Sequence, residues 1–274
     1  MALRTPSRQT SVACVITFRH SGDRARHDNL LAVLSWLSRW PELPVVLVEQ
    51  DAKPRLQAEL PHPKLTCRFV CNPGTFNKSW GLNVGARLTT APWLLFHDAD
   101  IILGHALDDA LAARHEGHHA ISPFSHMLDL DPDESARVRG GAFDWLPARA
   151  DQNTSDRQAR GEFMPLAGAS VLMSRSAYLA VGGWDERFLG WGGEDDAMSD
   201  LLQRAKVPVA ELDTRPALHL YHRRRPSTTL NQPNYRSNIA LLESQRQFSD
   251  IELARSAAVR RTLIGHAEKY GPRP

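Results

Sequence analysis

The pattern of apolar and polar positions divides the first hundred residues into strand-like runs separated by helical ones. SVACVITF (11–18) is short and almost wholly apolar, as a strand covered on both faces should be. From about Arg26 to Trp40 the pattern becomes helical, with Leu30, Leu31, Leu34 and Leu37 on one face. PVVLVEQ (44–50) restores the strand pattern after Pro44, and LTCRFVC (65–71) makes a third run, for which the sheet edge is open. FNKSWGLNVGARLTTA (76–91) reads as a helix with loose, Gly-containing packing that leads into PWLLFHDAD. Strands alternating with helices predict an open parallel sheet, and ligands of such sheets bind beyond the carboxyl ends of the strands. Asp98 and Asp100 fall at one such end.

Residues 125–165 have weak periodicity and many polar, Gly and Pro positions, which predicts a long irregular insertion. LAGASVLMS (166–174) restores a strand, and 176–209 reads as helix, Gly-rich turn, helix and strand. A basic segment, 222–238, precedes a C-terminal helical region.

Composition narrows the function classes. Among 274 residues, 42% are hydrophobic and 23% charged, with Lys+Arg 33 against Asp+Glu 31, so no global charge points to nucleic acid or to a membrane surface. The N-terminal apolar stretch of about seven residues before Arg19 is too short for a secretory core or a membrane span, and no other stretch approaches ~18 apolar residues. A cytoplasmic protein is the expectation, with no integral membrane segment. Cys14, Cys67 and Cys71 are odd in number and lie in strand-like contexts, so they are expected to be reduced core thiols.

Three constellations could carry chemistry. Asp98 and Asp100 can point the same way in an extended turn and face one hard cation, or they can be an ordinary polar turn. In GWGGEDDAMSDLL, Gly190, Gly192 and Gly193 permit a tight turn, and Glu194, Asp195 and Asp196 open a helix whose dipole favours carboxylates. Helix capping alone explains the acids but not Trp191, which beside clustered carboxylates resembles a sugar platform with a general base. His219 and His222 share a face in a helical turn and lie on opposite faces in a strand, and neutral imidazole is a good ligand for Mn2+-like ions. Arg223, Arg224 and Arg225 are a solvated face or, beside a histidine ligand, a grip on a diphosphate.

Taken together and in order, these segments resemble the GT-A nucleotide-sugar glycosyltransferases, in particular the β-1,4-galactosyltransferase type and its bacterial family 2 relatives, over residues 12–240. GWGGEDDAMSDLL is similar to that family's W-G-W-G-G-E-D-D-D signature, with Leu189 in place of the first Trp. TFR (17–19) with Arg24 or Arg26 resembles its F-R-x-R entry, VVLVEQ its second strand, FNKSWGLNVGA its F-N-R-x-x-x-x-N-x-G helix and FHDAD its D-V-D.

The resemblance implies an α/β fold: a GT-A (Rossmann-like), mixed, mostly parallel sheet flanked by helices, in a single domain with a flexible C-terminal lid. It implies a domain over 1–240, with a nucleotide-binding half at 12–100 and an acceptor half at 101–240, followed by a helical extension at 241–274. Donor contacts would fall to Phe18, Arg19, Arg26, Glu49, Asn77, Lys78, Asn83, Asp98 and Gly193. Mn2+ or Mg2+ would be held by Asp100 and His222, with His219 where the family has methionine. Asp195 would be the catalytic base with Glu194 beside it, and Trp191, Gly192, Asp196 and Phe188 would meet the acceptor.

The implied reaction is inverting transfer of a hexose or N-acetylhexosamine from a UDP-sugar to a glycan or glycoconjugate, with peripheral membrane association open. Leu166 stands where the family carries an aromatic beside the sugar's C2, with Ala167 and Ala169 nearby, and the smaller side chains would leave room for a 2-acetamido group. A metal-dependent phosphoesterase or nucleotidyltransferase, and a non-catalytic carbohydrate-binding scaffold, are the alternatives. The first has no role for the Trp191 turn and the second none for intact Asp98, Asp100, Asp195 and His222.

Overall fold

β1 (Val12–Phe18) is buried at every position, and so is β2 (Val45–Asp51), which fits their nearly unbroken apolar sequence: strands of a parallel layer are covered on both faces. They belong to a computed structural model that describes residues 11–20, 22–56, 60–151, 166, 168–213, 215–223 and 233–272. β3 (Leu65–Cys71) flanks β2 at the edge, and β4 (Trp93–His97) flanks β1 on the other side, all parallel. The sheet then turns mixed. β8 (Ser170–Ser174) runs antiparallel to both β4 and β6 (Ala120–Ser122), and β9 (Val209–Glu211) closes the far edge, giving the order β3-β2-β1-β4-β8-β6-β9.

A small second sheet forms where β4 runs out. Its order is β5-β10-β7, from β5 (Ile101–Ile102), β10 (Ala217–His219) and β7 (Met127–Asp129). The expected long insertion is therefore partly regular. After β7 comes α4 (Pro132–Arg139), which begins with a capping box between Asp131 and Glu134 and has Pro132 in its first turn. Short elements with strong local caps do not need long periodicity, which is why weak periodicity hid them.

Helices cover both faces. α1 (Arg24–Leu37), capped by Asp23 accepting from the Ala25 amide, buries Leu30, Val33, Leu34, Trp36 and Leu37. α2 (Lys78–Arg87) lies very close to the sheet: a Cβ at Gly81 would come within 2.0 Å of Thr17 Oγ1, and one at Gly85 within 2.4 Å of Val15 Cγ1. Its glycines serve close approach. α3 (Ala106–Ala113), α5 (Arg175–Ala180) and α6 (Glu194–Arg204) complete the layers.

α7 (Pro233–Arg246) runs unbroken through residue 240, and α8 (Asp250–Leu263) places Leu253 in the same core cluster as Leu94, Phe96 and Trp184. The expected division at 240/241 is thus no boundary in the fold, because the C-terminal helices cover core that would otherwise meet water. Of the cysteines only Cys14 is buried; Cys67 is exposed and Cys71 partly so, which corrects the expectation of three core thiols. The first half of edge strand β3, at Thr66 and Cys67, is exposed, and its burial begins at Phe69. No described helix is long and apolar enough to cross a membrane.

Candidate active site

β4 ends at His97, and the next three residues make a turn whose two carboxylates diverge. The turn is held from both sides: the Asp98 amide donates to the Ala169 carbonyl (2.8 Å), and the Leu220 amide donates to the Asp100 carbonyl (2.8 Å). His97 ties its two ends together. Its Nε2 lies 3.0 Å from the Ile101 carbonyl, which can only accept, so Nε2 carries the proton and Nδ1 accepts from Ser170 Oγ at 2.9 Å. Burial lowers its pKa to about 4, so the ring is neutral and acts as a brace.

Asp100 faces the histidines. His222 Nε2 lies 3.3 Å and His219 Nε2 3.8 Å from the same oxygen, Oδ2, and the two rings meet edge to face with centroids 5.3 Å apart. One donor atom from each of the three residues falls within 4.8 Å of the others. β10 ends at His219, and the chain curls after it, so His222 comes round to the same side. Neither a helical turn nor a continued strand describes this pair. Burial alone would lower the His219 pKa, but Asp100 and Asp129 raise it to about 9. A carboxylate and two imidazoles at this spacing fit a divalent cation.

Asp98 turns the other way, to Lys78. Lys78 Nζ is 3.0 Å from Asp98 Oδ1, 3.8 Å from Glu194 Oε1 and 3.7 Å from Asp195 Oδ1, one cation among three acids. The side chain opens α2 just after the N-cap Asn77. Burial pushes Glu194 up to about 7, with Asp195 adding to the shift and Lys78 opposing it. Glu194 and Asp195 begin α6 behind Gly193, which holds φ +90, and their carboxylates gain from the helix N-terminus. Gly168, at φ +78, passes so close that an added Cβ would be 2.5 Å from Asp195 Oδ2. Lys78, Asp98, Gly168, Ala169 and Asp195 line one small cavity.

Trp191 is 48% exposed and stacks on Tyr235 of α7, with centroids 5.5 Å apart. Asn238, also on α7, holds the glycine turn: its Nδ2 donates to the Leu189 (2.9 Å) and Gly192 (2.8 Å) carbonyls, and its Oδ1 accepts from the Leu189 amide. Sequence reasoning missed both residues. Their only trace is that Tyr235 and Asn238 stand three apart, on one helical face, in a polar segment.

Several residues expected at the donor are engaged within the chain. Phe18 is in the core, and the Glu49 carboxylate accepts from the Arg55 (2.7 Å) and Leu56 (3.1 Å) amides. Asn77 caps α2 and donates to the Glu186 carbonyl, while Asn83 joins Trp184, Glu186 and Tyr178 beneath the sheet. Arg19 gives its guanidinium to the carbonyls of Gln50, Asn72 and Gly74. Phe188, expected at the acceptor, is buried against Ala197 and Leu242 and supports Gly193. Buried polar groups must be paired, so the motif's asparagines serve the scaffold. Arg26 is half-buried on α1, Asp196 is half-buried on α6, and Gly192 lies within the turn. Ala167, Arg224 and Arg225, with most of the basic segment, lie outside the described residues.

Comparison with known proteins bears on this geometry. A family model described as the N-terminal domain of galactosyltransferase matches residues 152–223. The chain is 28% identical over 148 residues to validoxylamine A glucosyltransferase of Streptomyces hygroscopicus subsp. jinggangensis (strain 5008), covering 46% of this chain and 35% of the relative. It is 26% identical over 164 residues to chondroitin sulfate N-acetylgalactosaminyltransferase 2 of Homo sapiens, covering 59% of this chain and 29% of that protein. The chain thus spans about a third of the length of the curated relatives it matches. Glucosyl-3-phosphoglycerate synthase from Mycobacterium tuberculosis, solved with Mn2+, uridine diphosphate and phosphoglyceric acid, superposes with a TM-score of 0.52 at 15% identity, over 87% of this chain and 79% of that one. At that identity the likeness is one of fold. Fold, family segment and curated relatives point the same way: what this chain is similar to are nucleotide-sugar glycosyltransferases of the GT-A fold.

Proposed function

We propose that the chain is an inverting, cation-dependent glycosyltransferase that moves a hexose or N-acetylhexosamine from a UDP-sugar to a hydroxyl of a glycan or glycoconjugate. One observation carries the reading: across a single turn, Asp100 joins two histidines while Asp98 joins Lys78 and the acids at the head of α6. A cation-bound diphosphate on one side and a proton acceptor on the other are what displacement at an anomeric carbon requires.

The Mycobacterium tuberculosis structure contains Mn2+ and UDP, and Asp100, His219 and His222 would hold the corresponding ion here. Such an ion, when bound, neutralises charge that grows on the departing diphosphate. Asp195 accepts the proton of the acceptor hydroxyl, whose oxygen bonds to the anomeric carbon as the bond to UDP breaks on the opposite face. Asp98, bridged to Lys78, faces the donor, and Arg26 is a further donor contact in this reading. Trp191 offers its exposed ring to an acceptor sugar. Leu166 and Ala169 leave room beside the sugar's C2, which favours tolerance of UDP-GalNAc alongside UDP-Gal.

A two-metal phosphoesterase would need further carboxylates next to Asp100. Among the described residues the cation cluster is Asp100 with two histidines. The test is a screen of UDP-sugars with Mn2+ against candidate acceptors, with linkage read by NMR, on the full chain and on Asp195→Asn. The variant is expected to bind UDP and Mn2+ as the parent does and to lose transfer. Retained transfer would remove Asp195 as the base, and the absence of any Mn2+-dependent UDP binding by the parent would remove the reading as a whole.

A further inference from the structure

We propose that Asp129 is a positioning residue that makes His219 a cation ligand. The inference rests on the cation reading above and adds an outer shell to it. β7 and β10 pair in parallel with Asp129 opposite His219, and the two intervening leucines, Leu128 and Leu218, are paired and buried in the core. Alternation along each strand turns the Asp129 and His219 side chains away from that core and toward the site.

His219 Nδ1 lies 2.6 Å from Asp129 Oδ1. An ionised carboxylate can only accept, so Nδ1 keeps its proton, and the proton that a cation would displace is the one on Nε2, whose lone pair then becomes the ligand. Nε2 is the atom that faces Asp100 Oδ2, beside His222 Nε2. Ligating histidines are commonly oriented in this way by a carboxylate on the far nitrogen.

The support is itself supported. Arg149 Nη2 donates to the Asp129 carbonyl at 2.9 Å, and the Leu130 amide donates to the His219 carbonyl at 2.9 Å. The link between the histidines is held as well: the Tyr221 amide donates to Ser135 Oγ (2.8 Å), Arg139 Nη2 donates to the Tyr221 carbonyl (2.8 Å), and Arg139 Nε donates to Asn29 Oδ1 (2.8 Å). Asp129, Ser135 and Arg139 all come from the 127–139 stretch, so the part of the insertion that looked irregular in sequence is the brace of the cation site. Two imidazoles and one carboxylate also predict Mn2+ and Co2+ bound ahead of Mg2+, which prefers oxygen ligands.

The test is calorimetric titration of Mn2+ into the metal-free full chain, compared across the parent, Asp100→Ala, Asp129→Asn, Asp129→Ala, His219→Ala and the Asp129→Ala/His219→Ala double variant. Circular dichroism and melting without metal establish that each variant is folded. Asp129→Ala is expected to weaken Mn2+ by about 10–100-fold. Asp129→Asn, which keeps the shape and an acceptor oxygen, should lose less, and in the His219→Ala background Asp129→Ala should lose nothing further. Mn2+ affinity of Asp129→Ala within twofold of the parent, or an equal loss with and without His219, overturns the inference while leaving the cation reading intact. Failure of the parent to bind Mn2+, or binding unchanged in Asp100→Ala, overturns the cation reading and this inference with it.

Discussion

Lys78→Met removes one charge from the centre of three acids and leaves a side chain of similar length. In the parent, Nζ is 3.0 Å from Asp98 Oδ1, 3.7 Å from Asp195 Oδ1 and 3.8 Å from Glu194 Oε1, and the lysine side chain is only 16% exposed. At an effective dielectric of about 20, a pair 3.0 Å apart attracts by roughly 5–6 kcal/mol, a gain partly offset by burial. Removing one partner of a buried ion pair costs about 3–5 kcal/mol, because the other charge is left behind. That cost grows as the acids around the vacated position ionise.

The pH dependence follows from which groups bind protons. Glu194 is already pushed up to about 7 with Lys78 present, and loss of the cation raises it further. An acid whose folded pKa exceeds its unfolded value of about 4.3 binds more protons folded than unfolded between the two, so folding weakens as pH rises through that window. Lys78 itself is raised above its ordinary value, so its contribution in the parent is fully present below about pH 10 and is lost only above that. Urea unfolding at pH 8 and pH 5 measures the difference. Lys78→Met should lose about 3–5 kcal/mol at pH 8 and distinctly less at pH 5, where protonation relieves the stranded acids. A loss below about 1 kcal/mol at pH 8, or the same loss at both values, refutes the account of the cluster.

Three further outcomes are expected. Gly168→Ala puts a Cβ 2.5 Å from Asp195 Oδ2 at φ +78, so the carboxylate must move by about 1 Å; transfer should fall about 100-fold and stability by about 1–2 kcal/mol, checked by steady-state rates and melting. Trp191→Ala removes a ring that is 48% exposed, so stability should change by less than about 1.5 kcal/mol while the acceptor KM rises about tenfold with kcat kept; an unchanged KM removes the sugar platform. His97→Ala strands the Ser170 hydroxyl and the Ile101 carbonyl, and chemical denaturation should show a loss of about 2–4 kcal/mol.

Much of the frame was legible along the chain. The apolar runs at 11–18, 44–50 and 65–71 correspond to β1, β2 and β3, the Gly-containing helix to α2, and the abrupt polar end of WLLFHDAD to the exit of β4. The acids at 194–196 open α6 as their position after the glycine turn indicated. These features depend on backbone period, burial and capping within a few residues, so a single stretch of sequence contains the information.

The partners were another matter. His219 and His222 were ambiguous until β10 was inserted between β5 and β7, which brings them to Asp100 across more than a hundred residues. Asp98 and Asp100 looked equivalent by spacing, yet one is neutralised by Lys78 and the other by imidazoles. His97 had no evident task until Ile101 and Ser170 were seen on its two nitrogens, and Asn77 and Asn83 looked like ligand contacts until their amides were found paired inside. By itself the sequence determined the elements, the order of the motifs and the kinds of side chain available for chemistry. Which of those side chains share a site, and which are used up in holding it, was decided by strand register and helix docking, because a hydrogen bond or ion pair depends on distances that only the folded chain sets.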